Sequence, residues 1–169
     1  AWRNVRSAWT PNLPARPATR STLRPSLRMT MNRPAAVRGA GSAANQVWVS
    51  DITYIATDEG WLYLASTMDL FSRKIVGWSM ASSLHATIVI DALHMAIDQR
   101  GPAAGLVHHS DRGSQYASDD YVKRLEAHGI TASMSRPARP WENGYCESFI
   151  NTLKSEEITC RIYSTLEEL

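Results

Sequence analysis

Residues 47–80, VWVSDITYIATDEGWLYLASTMDLFSRKIVGWSM, decide how this chain folds. Val47 to Thr57 is dense in β-branched and aromatic residues, Asp58-Glu59-Gly60 is turn material, Trp61 to Leu70 repeats the strand texture, and Lys74 to Met80 reads as a third strand. Parallel neighbours need a crossover of a dozen residues or more, so three strands this closely spaced form an antiparallel meander. Trp48, Trp61 and Trp78 lie in apolar strand contexts and are expected in the core.

Downstream the period changes. Val89, Ala92, Leu93, Ala96 and Ile97 recur at helical spacing, and Arg100-Gly101-Pro102 ends the segment. Gly105 to Ser110 is a short apolar strand followed by Asp111. A second helix is expected from Ser118 as N-cap to Gly129, burying Tyr121, Val122 and Leu125. Ile130 to Met134 is a fifth strand, Arg136 to Pro140 a loop, and about Glu142 to Glu157 a third helix. The order βββαβαβα predicts an α/β fold, a mixed five-stranded sheet flanked by helices.

Upstream the texture is different. Residues 1–44 contain eight Arg and no Lys, Asp or Glu, whereas residues 45–169 hold the other ten basic residues and all sixteen acidic ones, a net of −6. The first segment is crowded with Arg, Pro, Ala, Ser and Thr and lacks Ile, Phe, Tyr and Cys, so burial cannot offset the entropy of ordering it. We therefore expect two parts: a disordered basic segment over 1–44 and a folded domain over 45–169. The first is read either as a basic arm on phosphates or as out-of-frame sequence. No run approaches a membrane span. Cys146 and Cys160 make neither a disulfide framework nor a paired zinc spacing.

Three acidic residues carry the candidate chemistry. Asp51 sits inside the first strand, Asp111 follows the fourth, and Glu147 lies in the last helix. Singly, each has an ordinary reading as a cap, turn or solvated residue. A meander that returns through a helix sets the first and fourth strands side by side, which brings Asp51 and Asp111 together, and a helix packed on that sheet can offer Glu147 to the same point. Clustered carboxylates repel unless a cation neutralises them. Hard oxygen ligands favour Mg²⁺ or Mn²⁺, and the chemistry of two such ions is in-line phosphoryl transfer. Lys154, seven residues after Glu147 with Asn151 between, shares its helix face and is placed to hold a phosphate.

Four blocks, NQVWVSDITYI (45–55), WLYLASTMDLFSRKIVGW (61–78), HHSDRGSQY (108–116) and ENGYCESFINTLKSEE (142–157), resemble in order the catalytic core of insertion-sequence transposases of the IS3 type, within the retroviral-integrase superfamily. The resemblance implies an RNase H-like fold and a DDE triad of Asp51, Asp111 and Glu147, with 35 residues between the last two. It further implies metal-dependent cleavage of DNA ends by water and then strand transfer, with two Mg²⁺ or Mn²⁺ ions as cofactors. Its implied partners are element-end and target DNA and further copies of the chain, in a bacterial cytoplasm at the nucleoid.

Ser110, Gln115 and Asn143 are expected to position the carboxylates or touch DNA, and Arg136 and Arg139 to contact phosphates. His108 and His109 are candidates for substrate contact, with one of them buried. Helix-turn-helix regions precede the core in that family and further helices follow it. Here residues 1–44 show no helical period and the chain stops at Leu169, so a C-terminally truncated core is expected. Two alternatives stand beside the transposase reading: a noncatalytic DNA-binding remnant, and an RNase H-like nuclease that only hydrolyses.

Overall fold

A computed structural model describes residues 42–57, 60–135 and 144–158. Its elements are β1 (Val47–Thr57), β2 (Gly60–Asp69), β3 (Ile75–Ala81), α1 (Ala86–Arg100), β4 (Val107–Ser110), α2 (Asp119–Ala127), β5 (Thr131–Met134) and α3 (Gly144–Leu153), the last continued by a π-helical turn, Lys154–Ile158. The sheet order is β3-β2-β1-β4-β5, with the meander antiparallel and β4 and β5 parallel to β1. The expected architecture is present. The last helix is shorter than the pattern suggested: its α-helical part ends at Leu153, and Glu142 and Asn143 lie outside the described residues.

Alternation along β1 divides the sheet into two faces. Trp48, Ile52 and Tyr54 face α1 and α2, where they join Leu93, Ala96, Tyr121 and Leu125 in the main core. Val47 and Val49 face the other way and pack with Met68, Leu70 and Cys146, while Ile55 on the same face packs with Leu62, Leu64, Leu153 and Ile158. The C-terminal helix thus covers the second face through two apolar contacts. Asp51 and Thr53 lie on β1 between them.

The helices form for identifiable reasons. In α2 the Ser118 hydroxyl accepts from Tyr121 N at 3.4 Å, Asp119 and Asp120 sit at the positive end of the dipole, and Tyr121, Val122 and Leu125 are buried. In α1 the chain leaves through Gly101 at φ +48, its N–H donating to the Ile97 carbonyl.

Trp78 departs from expectation. A β-bulge between Thr67 and Met68 leaves Val76 without a register partner, so Gly77 pairs Thr67 and Trp78 pairs Ser66. Val76 and Gly77 then turn to α1, where a β-carbon on Gly77 would collide with the Ala92 carbonyl and Ala96. Trp78 is sent to the face of Asp51 and is 47% exposed, while Trp48 is fully buried as expected. Strict alternation cannot anticipate the extra residue.

Candidate active site

β1 and β4 run parallel with Ser50 paired to Ser110, so Asp51 and Asp111 are the residues that follow this pair, Asp51 still within β1 and Asp111 just past the end of β4, close enough for its charge to act on Asp51. Asp51 lies on the face of β1 that α3 covers. Asp51 stands in β1 directly across from Ser66, and its Oδ1 accepts from the Ile52 N–H at 2.9 Å. Asp111 follows β4, and its Oδ1 accepts from the Gly113 N–H at 2.9 Å. A β-carbon on Gly113 would lie 3.1 Å from that oxygen and 3.0 Å from Oε1 of Gln115. The bare glycine therefore lets the turn close around the carboxylate.

Glu147 is exposed on α3, and Lys154 begins the π-helical turn. Both are close enough to act on Asp51. Burial pushes the Asp51 carboxyl up to about 6, the charges of Asp111 and Glu147 push the same way, and the Ile52 N–H and Lys154 pull against them. The carboxylates feel one another as like charges, as expected for an acidic cluster. Among the described residues, however, no three His, Cys, Asp or Glu side chains converge closely enough to form a ready cage for a metal ion.

Ser110 is buried and its hydroxyl donates to the Asp111 carbonyl at 3.0 Å; Gln115 is buried and its Nε2 donates to the Leu84 carbonyl at 3.4 Å. Ser110 is thus bonded to the main chain of Asp111, and Gln115 to the end of the β3–α1 connection. Asn151 is exposed on α3. Arg136, Arg139 and Asn143 lie outside the described residues. His108 and His109 are both buried, where only one was expected. Cys146 is fully buried and burial raises its thiol pKa, which leaves it no nucleophilic part beside Glu147.

A polar relay behind the site had no signal in the sequence. Thr67 Oγ1 meets Ser50 Oγ at 2.7 Å, Ser50 Oγ meets His108 Nε2 at 2.8 Å, and the Tyr121 hydroxyl meets the same Nε2 at 3.1 Å. It ties β2, β1, β4 and α2 together one residue before Asp51. Burial, with His109 adding, lowers His108 to about 3 and keeps the ring neutral. On the other face His109 meets the Ser133 and Ser135 hydroxyls at 3.0 and 3.1 Å, and Arg112 Nε donates to the Ser135 carbonyl at 2.8 Å. Ser66 Oγ, buried opposite Asp51, has no hydrogen-bond partner among the described residues.

A meander extended by two parallel strands, with Asp51 on β1, Asp111 just past the end of β4 and Glu147 on the covering helix, defines the class as an RNase H-like fold. The chain belongs to the integrase core domain family, whose model matches residues 41–140, with a second integrase core model over 128–169. It is 46% identical over 127 residues to the transposase for insertion sequence element IS904 of Lactococcus lactis, a match covering 75% of this chain and 50% of the relative. It is also 46% identical over 115 residues to transposase InsF for insertion sequence IS3A of Escherichia coli K12, covering 68% and 40%. The chain thus spans half or less of the length of these relatives.

Among solved structures, the simian T-cell lymphotropic virus intasome in complex with the PP2A regulatory subunit B56 gamma superposes with a TM-score of 0.63 at 22% identity, over 79% of this chain and 45% of that one. The HTLV-2 integrase catalytic core domain in complex with magnesium gives 0.57 at 21%, over 68% and 71%. At these identities the likeness is one of fold.

Proposed function

We propose that residues 45–169 are the catalytic core of a DDE transposase, cutting and joining DNA strands with divalent metal ions held by Asp51, Asp111 and Glu147. The observation that carries this reading is the in-step placement of Asp51 and Asp111 after the Ser50–Ser110 pair, beneath the helix bearing Glu147. The residues fit a hard cation: the donors are carboxylate oxygens, Asp51 is held against its own ionisation, and a buried hydroxyl on Ser66 faces Asp51 without a partner.

When bound, two Mg²⁺ or Mn²⁺ ions would activate the attacking oxygen and stabilise the leaving one. The protein's own contribution is positional. The Ile52 and Gly113 amides aim the two aspartates, the apolar contacts of α3 on either side of Asp51 exclude bulk water, and Lys154 holds a phosphate oxygen of the strand being cut. The substrates are element-end and target DNA, and a second copy of the chain supplies the site for the other end.

Calorimetric titration with Mn²⁺ tests the metal site. The wild-type chain is expected to bind, and Asp51→Asn and Asp111→Asn each to lose binding by at least about tenfold. Equal affinity in all three removes the aspartates from the site. Cleavage without joining would return the reading to a hydrolytic nuclease.

A further inference from the structure

On the flank of α3 turned away from Glu147 there is a second feature. The β2–β3 turn and the helix enclose an open cleft of about 360 Å³ lined by Met68, Arg73, Tyr145, Ser148, Phe149 and Thr152. Its turn is firmly held. The buried Asp69 carboxylate accepts from the backbone N–H groups of Asn45 at 2.8 Å, Phe71 at 2.9 Å and Ser72 at 3.1 Å, and Arg73 sits at φ +60. From there the Arg73 guanidinium stacks on the Tyr145 ring, 3.8 Å from its centroid. Arg73 and Lys74 are exposed neighbours, and Phe71 and Tyr145 are 52% and 43% exposed. No carboxylate lines the cleft.

We propose that this cleft is a second nucleic-acid contact: it takes a DNA strand that crosses α3 from the carboxylates, with a phosphate on Arg73 and Lys74 and a sugar or base against Tyr145 and Phe71. The proposal rests on the transposase reading above. A guanidinium stacked on a ring keeps its edge donors free for a phosphate, and cations interleaved with exposed aromatics are the means by which proteins hold unpaired strands. Charge complementarity is local to the cleft: Arg73 and Lys74 are exposed side by side against a lining with no carboxylate among the described residues, within a region whose net charge of −6 otherwise repels a phosphate backbone.

Helix geometry links the cleft to the site. Tyr145 and Thr152 are two turns apart on one flank of α3, Glu147 and Lys154 two turns apart on the other, and the exposed Ser148 and Asn151 form the ridge between. Crossing a helix of about 10–12 Å diameter takes an unpaired strand about two to three nucleotides from the phosphate at Glu147.

Fluorescence anisotropy of the full chain on a short labelled duplex with a single-stranded end, read across a salt series, tests this. Arg73→Asn is the variant to use, because Asn tolerates the left-handed backbone there. Binding should weaken by about threefold to tenfold and the salt slope should fall by about one, with an unchanged melting temperature. Neutral methylphosphonates placed along the strand should weaken wild-type binding about two to three nucleotides from the cleaved phosphate, and Arg73→Asn should abolish that sensitivity. Wild-type affinity and slope in Arg73→Asn overturn the cleft while leaving the transposase reading in place, even if the variant melts lower. A wild-type chain with no salt-dependent affinity for DNA overturns both.

Discussion

Asp51 and Asp111 stand in step, each one residue beyond the paired Ser50 and Ser110: Asp51 continues β1, and Asp111 is the first residue past β4, close enough for its charge to act on Asp51. Asp51 is held by strand register, and Asp111 by the Gly113 amide immediately after its strand. Replacing either with Asn is expected to reduce DNA cleavage by at least about a hundredfold, since several kcal/mol of charge stabilisation depend on the ligands. The rate of end cleavage in Mg²⁺ measures it.

The same placement is costly to the free protein. The folded pKa of Asp51 is raised to about 6 from an ordinary value of 3.8, so between roughly pH 4 and 6 the unfolded chain gives up a proton that the folded one keeps. Stability from this group is present at low pH and is lost as pH rises through 6. Relative to Asp51→Asn, the wild-type chain should lose about 2–3 kcal/mol between pH 4 and 7, read by urea unfolding without metal. Saturating Mg²⁺ should reverse the difference, because an ion that binds only the native state stabilises it.

His108 gives the opposite slope. Its ring is kept neutral down to about pH 3, so below the ordinary histidine value of 6.5 the unfolded chain takes up a proton that the native one refuses. Stability is present above 6.5 and falls with acidification, by about 1.4 kcal/mol for each pH unit once the unfolded histidine is fully charged. His108→Gln, which can keep a polar atom near Ser50 Oγ, should lose that component of the acid slope. Comparison of unfolding at pH 7 and pH 5 would show it.

The contrast between these two groups marks what could be read ahead of the structure. The meander, the return through α1, the Ser118 cap and the buried face of α2 follow from local pattern and turn chemistry, and the three carboxylates follow from the topology those elements impose. His108, Ser50 and Thr67 meet only through register across three strands, and a short-range pattern carries no information about which polar residues face one another at a distance of 58 positions. Trp78 failed for a related reason: a single bulge residue, Val76, reversed the alternation on which its burial was inferred.

Gly113 provides a test of how finely Asp111 is set. Ala at this position places a β-carbon 3.1 Å from Asp111 Oδ1 and 3.0 Å from Gln115 Oε1, so the carboxylate must shift by a few tenths of an ångström. Gly113→Ala should weaken Mn²⁺ binding by about tenfold, as outer-shell changes at metal sites do, with less than about 1 kcal/mol lost in unfolding. Calorimetry and thermal denaturation on the same sample separate the two effects.

The triad requires Glu147 to complete a joining site with the two aspartates. The direct measurement is a strand-transfer assay in Mg²⁺ or Mn²⁺ on element-end DNA already nicked to expose its 3′-hydroxyl, with the wild-type chain beside Glu147→Gln. The wild-type chain should join the end to target DNA, and Glu147→Gln should bind the same DNA while joining at least about a hundredfold more slowly. Equal joining by the two proteins would contradict the assignment of the triad.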